Sequence, residues 1–289
     1  MANRTEVMHR LQVDDTEVEF SDRGSGEPVL LVHAGVFADW FVPLAASPVL
    51  DGFRVIRLRR AGYLSGPPPA RHLTLRDHAR HAAALLDALG VPAAHVCGLS
   101  SSCLINLQLA MDRPASVASL TLMDPAPGAV LQAPSQQNFT SSVARPALAA
   151  AAAGDAGSAF DIWMGGVDSG YQSVLEASLG SDGYQRAVAQ SRFFFADELP
   201  AVREWALDED RAANLAKPVL LVLGANSPPN FHDMVDLLAG VLPDAQIVTL
   251  GGVGHLMPLQ DPEAVGRLIA DFARRHPSKA ERRIHPASL

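Results

Sequence analysis

The chain has 289 residues, 48% of them hydrophobic, and a formal net charge of −8 at pH 7. That length and hydrophobic content allow one large core with an inserted segment, and the negative charge argues against nucleic acid or an anionic membrane surface as the main partner. Two cysteines, Cys97 and Cys103, are too few for a disulfide framework and favour a reducing compartment. Residues 1–6 contain no apolar leader segment and no stretch reaches membrane-spanning length, so we expect a cytoplasmic protein.

Short apolar strands alternate with helical segments along most of the chain. This pattern predicts an α/β fold with a mostly parallel sheet that is covered on both faces. A hairpin over about residues 8–34 comes first, and the helix predicted at residues 75–86 ends near Gly90, a glycine stop. The other predicted elements are strands at 28–35, 53–59, 94–98, 116–123, 218–224 and 245–250, and helices at 103–110 and 261–269.

The most informative run is Gly98-Leu99-Ser100-Ser101-Ser102, at the junction of a predicted strand and helix. A serine in so sharp a turn has strained backbone angles that push its hydroxyl out of the sheet. The following helix directs free N–H groups at the same place, where they can stabilise a negative oxygen. Gly98 and Ser102 are small enough for the tight turn, although the motif usually ends in glycine. The run therefore indicates that Ser100 is a nucleophile, provided that a base lies within reach.

Residues 125–214 break the alternation of strands and helices. Strands disappear there, and alanine-rich helical segments with glycine breaks take over. The segment lies between two core strands, at the carboxyl edge where open α/β sheets bind ligands. We therefore predict a core of residues 1–124 and 215–276, a helical insertion at 125–214, and a flexible tail at 277–289.

A second candidate for chemistry is His255, on the loop Gly252-Val253-Gly254-His255 after the predicted strand 245–250. A histidine in such a loop can reach over a sheet edge, take a proton from a serine and return it to a leaving group. An isolated loop histidine is more often a capping or solvated residue. The order of Ser100 before His255 favours the catalytic interpretation.

These motifs together resemble the α/β-hydrolase fold family, over roughly residues 10 to 275. Residues 28–35 are similar to the family's strand and oxyanion loop, and residues 53–63 to the strand and loop that precede the elbow unit. Gly98–Ser102 matches the nucleophile elbow, and Gly254-His255 matches the catalytic histidine loop. The resemblance implies a serine hydrolase that carries a cap domain, here residues 125–214, over its active site.

The position of the acid in the implied Ser-His-Asp triad differs from the one that is commonest in the family. The family most often places the acid after the strand that is here 218–224, where this chain has Asn226. Asparagine can hold an imidazole by a hydrogen bond but cannot balance the charge of an imidazolium. Esterase and dehalogenase-like relatives carry the acid one strand earlier, and here Asp124 stands directly at the end of strand 116–123. We expect Asp124 to orient His255; the alternative is a turn aspartate bonded to nearby backbone N–H groups.

The resemblance also implies an oxyanion hole and a substrate pocket. The backbone N–H groups of Gly35 and Ser101 are the expected oxyanion donors, and His33 is expected to be structural rather than a second base. The candidate substrate contacts are Val36, Phe37, Trp40, Trp163 and Phe194.

The leading function is hydrolysis of an ester, thioester or lactone of a small apolar substrate through an acyl-enzyme, with no cofactor and no metal. Two alternatives stay open. The altered elbow and Asn226 also fit a non-hydrolytic enzyme of secondary metabolism, such as a cyclase or lyase, or a C–C bond hydrolase, in which Ser100 and His255 transfer protons. The other is a ligand-binding sensor on a hydrolase scaffold. The sequence does not identify the substrate. A homodimer is a further expectation, which the sequence leaves undecided.

Overall fold

In the part of the chain that the structure describes, a mostly parallel sheet of eight strands forms the centre. The computed structural model describes residues 6–66 and 68–278. The strands are β1 (His9–Val13), β2 (Thr16–Arg23), β3 (Pro28–Val32), β4 (Arg54–Arg59), β5 (Ala94–Leu99), β6 (Val117–Met123), β7 (Val219–Gly224) and β8 (Gln246–Leu250). Their order across the sheet is β1-β2-β4-β3-β5-β6-β7-β8, with antiparallel pairing of β1 with β2 and of β2 with β4 and parallel pairing from β4 onwards.

The central strands are buried on both faces. All six residues of β5 and of β7 are buried, as expected for a parallel sheet that is covered by helices on its two sides. Because parallel strands end at one edge of the sheet, the loops after β3, β5, β6 and β8 come together there.

Thirteen α-helices are assigned within the described residues. They are α1 (Val42–Ala45), α2 (Leu75–Ala88), α3 (Ser101–Asp112), α4 (Pro134–Phe139), α5 (Arg145–Ala152), α6 (Ala156–Val167), α7 (Tyr171–Leu179), α8 (Gly183–Phe193), α9 (Leu199–Glu204), α10 (Glu209–Ala213), α11 (Pro229–Val241), α12 (Met257–Gln260) and α13 (Pro262–Arg275). A capping box of Thr74 and Asp77 starts α2, and Gly90 follows its end with φ +63°.

The predicted α/β-hydrolase fold, with its mostly parallel sheet, is confirmed. Each predicted strand after the hairpin and each predicted helix is present, with bounds that shift by one to six residues. Helices α4–α10 fill the chain between β6 and β7, and two π-helical turns interrupt them at Thr140–Ala144 and Phe194–Glu198. The division into core and cap domains stays a prediction.

Two further expectations concern membrane-spanning helices and the C-terminal tail. Within residues 6–66 and 68–278, no helix is both long and apolar enough to cross a membrane. Of the predicted tail 277–289, residues 279–289 lie outside the described residues. Ser278 is buried, and its backbone N–H donates to Glu27 Oε1 at 2.7 Å.

Candidate active site

Ser100 lies in a strained turn between β5 and α3. Its φ and ψ are 55° and −123°, outside the region that non-glycine residues adopt readily. Its backbone N–H donates to the Met123 carbonyl at 3.0 Å, and its own carbonyl accepts the N–H groups of Cys103 and Ala126. The turn is therefore held by the ends of two neighbouring strands, which supports the conformation that the sequence predicts for a nucleophile.

The turn closes tightly around Gly98. A Cβ atom added there would lie 2.4 Å from Asn106 Nδ2, 2.8 Å from Ser102 Oγ and 3.0 Å from the Ser102 carbonyl carbon. The Ser102 hydroxyl itself bridges the turn, since it donates to the Leu99 carbonyl at 2.9 Å and accepts the Leu99 N–H at 2.8 Å. Serine at the place of the usual glycine thus fits the turn and adds two hydrogen bonds.

We expect Gly98→Ala to lower the free energy of unfolding by about 1–3 kcal/mol, because the added methyl group overpacks a rigid turn. Thermal unfolding would measure the loss. Gly240→Ala in α11 is the matched control, since nothing lies within 4 Å of the added methyl group and alanine favours a helix. Equal melting temperatures for Gly98→Ala and the unsubstituted chain would contradict the prediction.

Asp124 and His255 form a buried pair at the same sheet edge. Asp124 follows β6 with φ 40° and is fully buried, and His255 is 3% exposed. His255 Nδ1 lies 3.1 Å from Asp124 Oδ2. Asp124 also accepts the Gly224 N–H on Oδ1 at 3.0 Å and the Ser227 hydroxyl on Oδ2 at 2.5 Å. Because Nδ1 is directed at this carboxylate, Nε2 is the nitrogen of His255 that is available for proton transfer.

Asn226 does not take part in this pair. Its side chain is exposed, and its backbone N–H donates to the Val253 carbonyl. The loop after β7 supplies Gly224 and Ser227 to the Asp124 carboxylate instead. The structure thus places the carboxylate beside the imidazole from β6, as the sequence order of Ser100, Asp124 and His255 predicts.

Two aromatic rings pack against the imidazole of His255. The ring of Phe231, from α11, stacks on it with centroids 4.2 Å apart and an interplanar angle of 24°. Trp40 meets it edge-on at 6.0 Å. Together with the Asp124 bond, these contacts fix the orientation of the ring.

A cavity of about 110 Å³ lies over Ser100 and His255. A single water needs only ~10–15 Å³ by comparison, so this cavity holds a group of several heavy atoms. Four predicted substrate contacts line it, namely Val36, Trp40, Trp163 and Phe194. Phe37 lies outside the lining and is buried against Trp40, with their stacked ring centroids 4.3 Å apart. Trp40 thus lies between Phe37 and the cavity, and a contact of Phe37 with substrate stays a prediction.

The inserted helices supply most of the lining that the sequence analysis missed. Apolar side chains come from these helices, among them Phe139, Met164, Val167, Leu199 and Val202. No local motif marks these positions, because an apolar residue on an amphipathic helix has the same pattern whether it faces a cavity or a core. Phe231, from α11, is a further lining residue without a sequence signal.

The predicted oxyanion donors have an arrangement that the sequence does not reveal. The Gly35 N–H donates to the hydroxyl oxygen of Ser101 at 2.9 Å, and this hydroxyl donates in turn to Glu198 Oε1 at 2.6 Å. Ser101 lies on the cavity with Gly35. A methyl group on Gly35 would meet the Phe194 ring at 2.7 Å and would force that ring to shift. The oxyanion role of Gly35 and Ser101 stays a prediction.

Glu198 is a buried carboxylate that the sequence analysis missed. It is fully buried at the end of the π-helical turn Phe194–Glu198. Arg60 Nη2 donates to its Oε1 and Oε2 at 2.9 and 3.0 Å, and the Tyr63 hydroxyl donates to Oε2. Burial, followed by the nearby negative charge of Glu198, raises the pKa of Tyr63 well above its usual value, so Tyr63 remains a donor.

His33 is structural, as expected from the sequence. Its Nε2 accepts the Arg60 N–H at 3.0 Å and its Nδ1 lies 2.6 Å from the Ala34 carbonyl. Burial and, secondarily, the charge of Arg60 hold the pKa of His33 well below its usual range.

Cys97 and Cys103 are free and buried, and burial raises the pKa of Cys97 to about 12.

Comparison with known proteins identifies the family. The sequence model of the alpha/beta hydrolase fold matches residues 27–262. The chain belongs to the alpha/beta hydrolase fold family. The match covers the sheet from β3 to β8 and contains Ser100, Asp124 and His255.

Curated proteins with different names match parts of this α/β-hydrolase. It is 37% identical over 103 residues to the putative carbamate hydrolase RutD of Variovorax paradoxus, a match that covers 34% of this chain and 38% of that protein. The chain spans about a third of the length of the curated relatives that it matches.

Solved structures share the fold over nearly the whole chain. A thermophilic esterase from Thermogutta terrifontis has a TM-score of 0.73 at 24% identity, covering 93% of this chain and 99% of the esterase. The enol-lactonase from Burkholderia xenovorans has a TM-score of 0.75 at 19% identity, covering 92% and 100%. At these identities the likeness establishes the fold alone.

Proposed function

We propose that this protein is a serine hydrolase that cleaves an ester, thioester or lactone of a small apolar substrate. Ser100 attacks the carbonyl carbon while His255 takes the hydroxyl proton. The tetrahedral intermediate collapses to an acyl-enzyme as His255 returns that proton to the leaving group, and water then releases the acid by the reverse proton transfers. Asp124 orients the imidazole and balances its charge.

One observation carries the proposal: Ser100 in its strained turn and His255 bonded to Asp124 line the same cavity. A hydroxyl, a base and a buried carboxylate in this arrangement are the parts that acyl transfer needs. Family membership favours hydrolysis, and the names of the relatives, which include an esterase, an enol-lactonase and a putative carbamate hydrolase, favour a carboxylic or carbamic carbonyl.

The lining of the cavity supports an apolar substrate. Its walls combine the aromatic rings of Trp40, Trp163 and Phe194 with aliphatic side chains from the inserted helices. Such walls favour an apolar acyl or alcohol group through burial of its surface. We also propose that helices α4–α10 act as a cap that excludes water from this cavity during acyl transfer.

A fluorophosphonate probe tests the proposal, because it modifies only a serine that a base activates. We expect intact mass spectrometry to find one adduct on the unsubstituted protein. Ser100→Ala should give none, because the nucleophile is absent. His255→Ala should react at least 100-fold more slowly, given that general base catalysis contributes roughly 10²–10⁴-fold.

The matched controls are Ser181→Ala, at an exposed serine outside the cavity lining, and His232→Ala, at a histidine of α11 outside the cavity lining. An adduct that persists in Ser100→Ala would contradict the assignment of the nucleophile. A folded protein that forms no adduct would contradict the acyl-enzyme and favour proton-transfer chemistry or ligand binding by the same cavity.

A further inference from the structure

The carboxylate of Glu198 is the centre of a buried polar cluster behind the oxyanion loop. We call Arg60, Tyr63, Ser101 and Glu198 the Glu198 cluster. All of its contacts to Glu198 come from donors: the guanidinium on both oxygens, the Ser101 hydroxyl on Oε1 and the Tyr63 hydroxyl on Oε2. The arrangement suits an ionised carboxylate whose charge Arg60 balances.

The cluster reaches the cavity through one hydroxyl group. A serine hydroxyl has a single hydrogen, and that of Ser101 is directed to Glu198 Oε1. The oxygen of the same hydroxyl is thereby left to accept the Gly35 N–H at 2.9 Å. Glu198 thus sets the direction of the Ser101 hydroxyl hydrogen, and the hydroxyl oxygen holds the Gly35 N–H.

The cluster also holds the carbonyl groups of the same loop. Arg60 Nε donates to the His33 carbonyl at 3.1 Å, and Arg60 Nη2 donates to the Ala34 carbonyl at 3.0 Å. Glu198 belongs to the inserted helices, whereas its partners belong to the core. The position of the insertion is therefore transmitted to loop 33–36 through a buried charge pair.

We propose that Glu198 is a positioning residue, which fixes the Gly35 peptide through the Ser101 hydroxyl and couples the inserted helices to the oxyanion site. The proposal rests on the proposed function and on the predicted oxyanion role of the Gly35 and Ser101 N–H groups, with the Gly35 N–H shared between the Ser101 hydroxyl oxygen and the developing oxyanion. Glu198 acts through Ser101 and has no contact with the reacting atoms. Loss of the Glu198 carboxylate would displace the Gly35 N–H donor without removing it.

The rate of fluorophosphonate modification gives the first readout. We expect Glu198→Gln and Ser101→Ala each to lower the limiting rate of modification roughly 10- to 100-fold, since misplaced donors stabilise the phosphoryl oxygen less well. The half-saturating probe concentration should change less than threefold, because the cavity walls are intact. The double variant should be no slower than the slower single variant, because both changes break one chain of hydrogen bonds.

Hydrogen exchange gives a readout that does not depend on activity. In mass spectrometry of peptides that cover residues 30–41, both single variants should show faster exchange of the Gly35 amide. Glu204→Gln, the same substitution at an exposed residue of α9, is the matched control and should change neither readout. Glu198→Asp keeps the charge opposite Arg60 but is one methylene shorter. It should therefore fold even where Glu198→Gln fails to, and show the same two changes.

The outcomes separate this inference from the proposed function. A folded protein without any adduct contradicts the proposed function, and the exchange of Gly35 still tests the inference. Unchanged exchange in Ser101→Ala and in both Glu198 variants would overturn the positioning role. If the unsubstituted protein is labelled at Ser100 and these variants react at the same rate, the positioning role would be overturned as well.

Discussion

Asp124→Asn should lower kcat by about 10⁴-fold, the loss that follows when the acid of a Ser-His-Asp triad becomes an amide. The structure supplies the reason. Asp124 Oδ2 is within 3.1 Å of His255 Nδ1, and the carboxylate is buried among donors. An amide in its place can present an N–H to His255, which favours the wrong tautomer, and it leaves the imidazolium without a counter-charge. Steady-state hydrolysis of p-nitrophenyl butyrate would measure the change.

Asn226→Ala and Asn226→Asp provide the controls at the position where the family most often carries the acid. Both should keep kcat within about threefold, because the Asn226 side chain is exposed. The double variant Asp124→Asn with Asn226→Asp should stay as slow as Asp124→Asn alone. A large loss in Asn226→Ala, or a nearly unchanged rate in Asp124→Asn, would contradict the assignment of the acid.

Arg60→Met should lower the free energy of unfolding by about 3–5 kcal/mol, because it leaves the fully buried Glu198 carboxylate without its counter-charge. The change also removes the guanidinium bonds to the carbonyls of His33 and Ala34. Thermal unfolding followed by circular dichroism should show a drop in Tm on the order of 10 °C.

Arg76→Met is the matched control, since the Arg76 side chain is 65% exposed and pairs with Asp112 only at 3.9 Å. It should change the stability by less than about 1 kcal/mol. Replacing both charges, as Arg60→Met with Glu198→Met, should recover part of the loss because no unpaired charge is then buried. Equal Tm values for Arg60→Met and Arg76→Met would contradict a buried pair of this strength.

The sequence predicts the fold and the placement of the three proposed catalytic side chains for a physical reason. Parallel buried strands are recognisable as short apolar runs, and their carboxyl ends share one edge of the sheet. Ser100 and Asp124 directly follow such strands, and His255 follows the last strand after a short loop. Chain order and strand ends are thus enough to bring them together.

The sequence does not predict the burial of Glu198 or the position of Phe37 outside the cavity lining. In the run Phe194–Glu198, a glutamate beside an aspartate has the pattern of a solvated helical face, and no local feature marks the π-helical turn. Its partner Arg60 is 138 residues away in the chain. Phe37 and Trp40 are both aromatic residues of one loop, and only three-dimensional packing determines which ring faces the cavity.

The ring of Phe231 has an electrostatic effect on the proposed reaction in addition to its packing against the imidazole. In the proposed reaction His255 becomes a cation, and the ring of Phe231 is stacked on it with centroids 4.2 Å apart and planes inclined by 24°. The quadrupole of an aromatic face attracts a cation by about 0.5–2 kcal/mol and does so only while the charge exists. A hydrocarbon ring therefore joins the Asp124 carboxylate in stabilising the imidazolium of each proton transfer. Because Phe231, Trp40 and Asp124 all contact the imidazole, its two nitrogens have separate roles in the proposed reaction, with Nδ1 held by Asp124 and Nε2 left for proton transfer.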